Sequence, residues 1–164
     1  MTSKNDAPHS TAAPQILREA DAHIRDLFND FESQQGSTHA SEIRDLAIAE
    51  IRLYRALLED VFLPAVFQGD AAAADTLTGF ESLEPLLEGA ERPRPEGNEF
   101  RAAWGALRTA TEKILENVRR DILPPAEKRP VDFVSLGLKM IELRREISAE
   151  QPVKPVPTDN DPRC

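Results

Sequence analysis

Cysteine is almost absent, since a single one, Cys164, stands in a polar C-terminal stretch. One thiol forms no internal disulfide and no thiolate cluster for zinc, and outside an organised electropositive setting it is an incidental exposed group. Aromatic residues make up 5% of the chain and glycines number 7, values that argue against an all-β sandwich. No run of 18 apolar residues occurs, and the opening MTSKNDAPHSTAAP has no basic region leading into an apolar one. Neither a membrane span nor a secretion signal is therefore expected, and the expected location is cytoplasmic. An excess of positive charge is also missing: the formal net charge is -9 and the pI is near 4.9. Such a field repels phosphates, which excludes nucleic acid and anionic membrane surfaces as favoured partners. The chain has no phosphate-cradling glycine loop, no G-x-S-x-G, no H-E-x-x-H and no C-x-x-C, so no enzyme activity is expected.

What is present suits one helical domain. The 164 residues, 40% hydrophobic and 30% charged, suffice for one core plus tails. Residues 1–13 and the Pro- and Asp-rich QPVKPVPTDNDPRC of 151–164 are expected to be disordered, leaving 14–150 as the domain. Within it, five stretches carry apolar residues three and four apart. The first runs from Pro14 to Glu32 and places Leu17, Ala20, Ile24, Leu27, Phe28 and Phe31 on one face. The second, from Ser41 as cap to Phe62, carries Ile43, Ala47, Ile51, Tyr54, Leu58 and Val61, with Pro64 expected to break it. The third, Ala71 to Gly89, shares Leu77, Phe80, Leu83 and Leu87 on one face, and Gly79 and Pro85 predict a kink. After a RPRPEGN link, the fourth runs from Asn98 to Leu123 with a seam of Phe100, Trp104, Leu107, Thr111, Ile114 and Val118, stopped by Pro124 and Pro125. A last amphipathic helix, Val131 to Ser148, is expected to pack across the others or pair with another chain. The pattern predicts an all-α, antiparallel up-and-down four-helix bundle with an additional C-terminal amphipathic helix.

The second helix ends YRALLEDVFLPA and the fourth ILENVRRDILPPA. Each has an apolar residue ten positions before its proline and another six before it: Tyr54 and Leu58 before Pro64, Ile114 and Val118 before Pro124. The 60-residue offset fits a repeated helical hairpin.

With LREADAHIRDLFNDFE in the first helix, EIRLYRALLEDVFLPAV in the second and VDFVSLGLKMIELRREI in the last, the chain resembles the haemerythrin-like (HHE cation-binding) family from about Ile16 to Ile147. That family carries His-x3-Glu in helices two and four, with a proline six residues after the Glu, and one further His in each of helices one and three. Residues four apart share a helix face, so these donors converge on a di-iron centre. The resemblance puts the six ligand positions at Asp21, Tyr54, Leu58, Phe80, Ile114 and Val118 of this sequence. Only Asp21 is a strong donor; Tyr54 and nearby Glu50 are weak candidates. Of the three histidines, His9 lies in the loose N-terminus, His39 in a loop, and His23 about 200° around the helix from Asp21. Four of the six replacements are apolar, as a chain needs if packing fills the space of an ion.

Asp21 is expected to face inward, where an unpaired carboxylate costs several kcal/mol or takes up a proton. Its structural reading is a buried acid hydrogen-bonded to Tyr54 or Thr111; its functional readings are a remnant metal ligand and a proton-linked switch. Glu59 and Asp60 read as a solvated face. Trp104 reads as core, with a substrate platform as the competing role, and His23 as a surface residue.

The leading expectation is a haemerythrin-like protein with no cofactor that acts by binding. It would take a protein partner, or a second copy, through the closing helix, or a small apolar ligand between the helices. One alternative keeps a residual non-haem iron site for dioxygen or nitric oxide, built on Asp21, Tyr54 and Glu50. Another is a helical adaptor subunit of a hetero-oligomer.

Overall fold

The computed structural model describes residues 12–68, 71–91 and 97–150, and among these every regular element is a helix. The expected loose segments, the 92–96 part of the RPRPEGN link, His9 and Cys164 lie outside the described residues. Ala12 and Ala13, placed by the sequence in the loose N-terminus, instead cap and open the first helix, and Ala13 is fully buried.

Helix α1 (Ala13–Ser33) starts on Pro14, whose missing N–H is harmless in a first turn, and buries the expected stripe from Leu17 to Phe31. Gly36 then turns the chain at φ +83°, a left-handed value that glycine adopts without strain. Helix α2 (Ala40–Ala56) follows directly after His39, so Ser41 lies inside the helix and does not cap it.

Neither Pro64 nor the Pro124–Pro125 pair ends its helix. After α2 the chain winds through a π turn, π1 (Leu57–Phe62), into α3 (Leu63–Val66), carrying Pro64 within the helical path. The fourth helix repeats the device: α5 (Asn98–Asn117), π2 (Val118–Ile122) and α6 (Leu123–Glu127), with Pro124 and Pro125 inside. Leu63 N–H donates to Leu58 O and Leu123 N–H to Val118 O, each spanning five residues. The wider turn makes room for a pyrrolidine ring that would press on the carbonyl four residues back in a regular α-helix. The 60-residue repeat therefore extends from side chains to backbone form.

Between these lies α4 (Ala71–Glu91), one continuous helix across Gly79 and Pro85. At Gly79 a Cβ would sit 3.5 Å from Ile114 Cγ1, so the glycine brings α4 close to α5. The closing helix α7 (Phe133–Glu150) begins two residues later than expected, where Asp132 accepts hydrogen bonds from Ser135 N–H at 3.1 Å and Ser135 Oγ at 2.7 Å.

Paired side chains give the packing. Phe31 meets Phe100, Asn29 meets Arg108 and Asp21 meets Arg119, so α1 and α5 run antiparallel. Arg52 with Glu84 and Glu91, and Tyr54 with Phe80, set α4 against α2. Asn117 Nδ2 donates to Thr76 Oγ1 at 3.2 Å between α5 and α4. Helix α7 packs on α1 and π1 of its own chain, burying Leu136 and Met140, so within the chain it lies across the other helices as one of the two expected placements has it. One continuous core joins all elements.

Candidate functional site

The six positions singled out in the sequence do not share one environment. Tyr54, Leu58, Phe80 and Val118 are fully buried, and the Tyr54 and Phe80 rings lie 6.1 Å apart. Ile114 departs from the expectation: it is half-buried against Gly79, and Leu115 takes the core position. A strict four-three spacing slips about 20° per seven residues against a straight helix. Two such steps separate Phe100 from Ile114, enough to turn Ile114 toward α4.

Asp21 is 7% exposed, as its inward spacing requires, but its partners are not those expected. Arg25, one turn on, donates from Nε to Asp21 Oδ1 at 2.6 Å, and Arg119 of π2 reaches both carboxylate oxygens from Nη2 at 3.4 Å. Thr111 gives its hydroxyl to Leu107 O at 2.7 Å, a bond within its own helix. Both guanidiniums also face Glu116, whose Oε2 is 3.7 Å from Arg119 Nη1 and 4.0 Å from Arg25 Nη2. Asp21, Arg25, Glu116 and Arg119 therefore close an alternating ring of two anions and two cations.

Tyr54 stands beside that ring. Burial pushes its phenol well above the ordinary range, the Asp21 carboxylate adds to the rise, and Arg25 and Arg119 oppose it. The phenol therefore stays protonated. Asp21 and Tyr54 are electrostatic neighbours, with the hydrogen bond to Asp21 supplied by Arg25.

Glu50 belongs to a different contact. Its carboxylate lies 3.6 Å from Arg144 of α7 and 3.9 Å from His23 Nε2, tying α7 and α1 to α2. His23 is half-exposed, His39 occupies the turn before α2, and Glu59 accepts from Arg55 Nε at 2.9 Å while Asp60 faces solvent. Among the described residues no group of three or more His, Cys, Asp or Glu is placed to hold a metal ion. Trp104 packs with Phe28, Phe31 and Phe100 at ring separations of 4.6–5.6 Å.

Arg25, Glu116 and Arg119 were not singled out by sequence reasoning. The Asp21–Arg25 pair carries a visible signal, because opposite charges four apart on a helix are neighbours. Arg119 carries none: it lies 98 residues from Asp21 and within a π turn that hydrophobic spacing does not reveal. Chemically the ring is closed. Each charge has a counter-charge, the adjacent phenol is held neutral, and the arrangement suits a structural clasp better than proton transfer.

Among the described residues no helix is long and apolar enough to cross a membrane. Set against protein-family models, curated proteins and solved structures, the chain matches none of them.

Proposed function

We propose that this chain is a haemerythrin-like up-and-down four-helix bundle, closed by α7, in which a charge ring stands in place of the metal centre and the protein acts by binding. The observation that carries this reading is the pairing of Asp21 with Arg25 and Arg119 at a position where the resemblance puts a metal ligand. A guanidinium supplies positive charge and directional donors together, which is what a lone inward carboxylate needs. Two guanidiniums on the one strong donor also repel an incoming cation. With Leu58, Phe80 and Val118 filling further ligand positions, the residues do not fit a di-iron centre.

The same filling favours a protein partner over a small apolar ligand between the helices. Helix α7 supports this: Val134 and Leu138 are 55% and 56% exposed on the face turned away from Leu136 and Met140. The partner is another chain or a second copy, met in the cytoplasm.

The test is metal analysis of the full chain purified from iron-rich medium, read beside its visible absorption spectrum. Iron well below stoichiometric amounts and no ligand-to-metal band are expected. Stoichiometric iron would sink the proposal in favour of a residual site on Asp21, Tyr54 and Glu50. A constant second protein in every preparation would favour the hetero-oligomer adaptor.

A further inference from the structure

Away from the charge ring, where the end of α1 meets the first turns of α5, lies an open cleft of about 290 Å³. That volume falls just below the usual range for ligand pockets, roughly 300–1,000 Å³, and suits a small ligand. Two glycines, Gly36 and Gly105, line it, and an added Cβ at either would meet nothing within 4 Å. Its inner wall is the buried cluster of Phe31, Phe100 and Trp104, and its rim carries Glu32, Gln35, Arg101 and Arg108.

Two features of this cleft have no structural use. The first is the Trp104 indole N–H, which is buried and has no hydrogen-bond acceptor. Buried donors are nearly always satisfied, and this unspent one belongs to a residue that lines the cleft. The second is Arg101. Its neighbour Arg108 is engaged by Glu32, Asn29 and Glu112, and lies over the Phe28 ring. Arg101 is exposed and makes no ion pair among the described residues, although the chain as a whole is strongly acidic. Arg108 is shared between Glu32 and Glu112, so Arg101 is the one rim cation that no carboxylate contacts among the described residues.

We propose that this cleft binds a flat aromatic carboxylate, its ring against the Trp104 edge and the Arg101 stem and its carboxylate on the Arg101 guanidinium. An anion is selected by the unpaired Arg101 guanidinium, and a flat ring by a slot between an aromatic wall and the apolar Arg101 stem. This site is independent of the charge ring and of whether the protein holds metal.

Trp104 is the only tryptophan, so its indole N–H gives a single NMR resonance that reports on this wall. The experiment titrates 15N-labelled full chain with 2-naphthoate and follows that resonance. A saturating shift is expected. Arg101→Gln should weaken binding about ten-fold or more, the size of a lost charge-assisted hydrogen bond. Gly105→Leu, which grows into open space on an exposed helix face, should abolish it, and neutral 2-naphthylmethanol should bind at least about ten-fold more weakly than the acid. A shift that stays linear to millimolar concentrations overturns the proposal. So does binding that survives Arg101→Gln unchanged, or equal binding of acid and alcohol. Should Gly105→Leu fail to fold, Arg101→Gln and the alcohol decide, since Arg101 is exposed.

Discussion

Replacing Asp21 by Ala should destabilise the protein more than any single change at the ring's other members, by about 2–3 kcal/mol. The size follows from exposure. Breaking a fully buried ion pair by removing one partner costs about 3–5 kcal/mol, because the other charge is left uncompensated, whereas exposed pairs are worth about 0–1 kcal/mol. The Asp21 side chain is 10% exposed and that of Arg25 is 30%, so Arg25 would be stranded but could recover some solvent. Arg119 is 51% exposed and 3.4 Å from Asp21, so Arg119→Ala should cost no more than about 1 kcal/mol. Removing both charges should reverse most of the damage: Asp21→Leu with Arg25→Leu should return to within about 1 kcal/mol of the native protein, because apolar side chains of similar volume often replace a buried pair at little cost. The remaining pair, Glu116 with Arg119, keeps its own 3.7 Å contact. Urea unfolding read by Trp104 fluorescence and by far-UV circular dichroism measures all four proteins, and coincidence of the two signals tests for two-state behaviour. Adding the single variants Asp21→Leu and Arg25→Leu completes a double-mutant cycle that isolates the Asp21–Arg25 coupling. An Asp21→Ala cost under about 0.5 kcal/mol, or a double replacement that is the least stable of the set, would refute the buried ion pair as the source of this stability.

Two further predictions concern the neighbours of the ring. Tyr54 is the only tyrosine, so phenolate absorbance near 295 nm follows it alone. Its folded pKa lies above its unfolded value of 10.0, so the folded state holds a proton that the unfolded state gives up. The resulting stability is whole below about pH 10 and is lost as pH rises beyond it. Urea midpoints should therefore fall above about pH 10, with phenolate appearing only on unfolding, and Tyr54→Phe should flatten that part of the profile. Gly79→Ala places a Cβ in ordinary contact with Ile114, so relief of glycine's helix penalty should dominate. A gain of about 0.5–1 kcal/mol in urea unfolding is expected, and a loss would show that Ile114 cannot accommodate the added methyl.

The fold was legible to the extent that it rests on periodic burial. The stripe from Leu17 to Phe31, the Phe100-to-Thr111 seam and the inward Tyr54, Leu58, Phe80 and Val118 follow from three-and-four spacing, because burial of one helix face is what that spacing encodes. The prolines were misread for a physical reason. Pro64 and Pro124 do remove a backbone donor, but a π turn just ahead of each accepts the ring and lets the helical path continue. Ile114 was misplaced because a seam drawn at constant spacing leaves the core face after two repeats. Asp21 was found and its partners were not. A buried acid announces a missing counter-charge, yet local sequence supplies only Arg25, and the second cation comes from a helix that tertiary packing alone brings near.

The two copies of the hairpin repeat show how that second cation arises. The residue after Leu58 is Glu59, and the residue after Val118 is Arg119. Both lie in π turns, one step past a buried position, yet their partners differ. Glu59 pairs back to Arg55 within its own helix at 2.9 Å, whereas Arg119 crosses to Asp21 on α1. The repeat thus keeps its backbone form and its apolar residues while the charge beside them changes sign. A symmetric pair of acids at these positions would have left Arg25 as the only cation beside Asp21 and Glu116, and the ring would carry excess negative charge. With Arg119 in the second copy the four charges balance, and the carboxylate at Asp21 can remain inside the protein without an ion to hold it there.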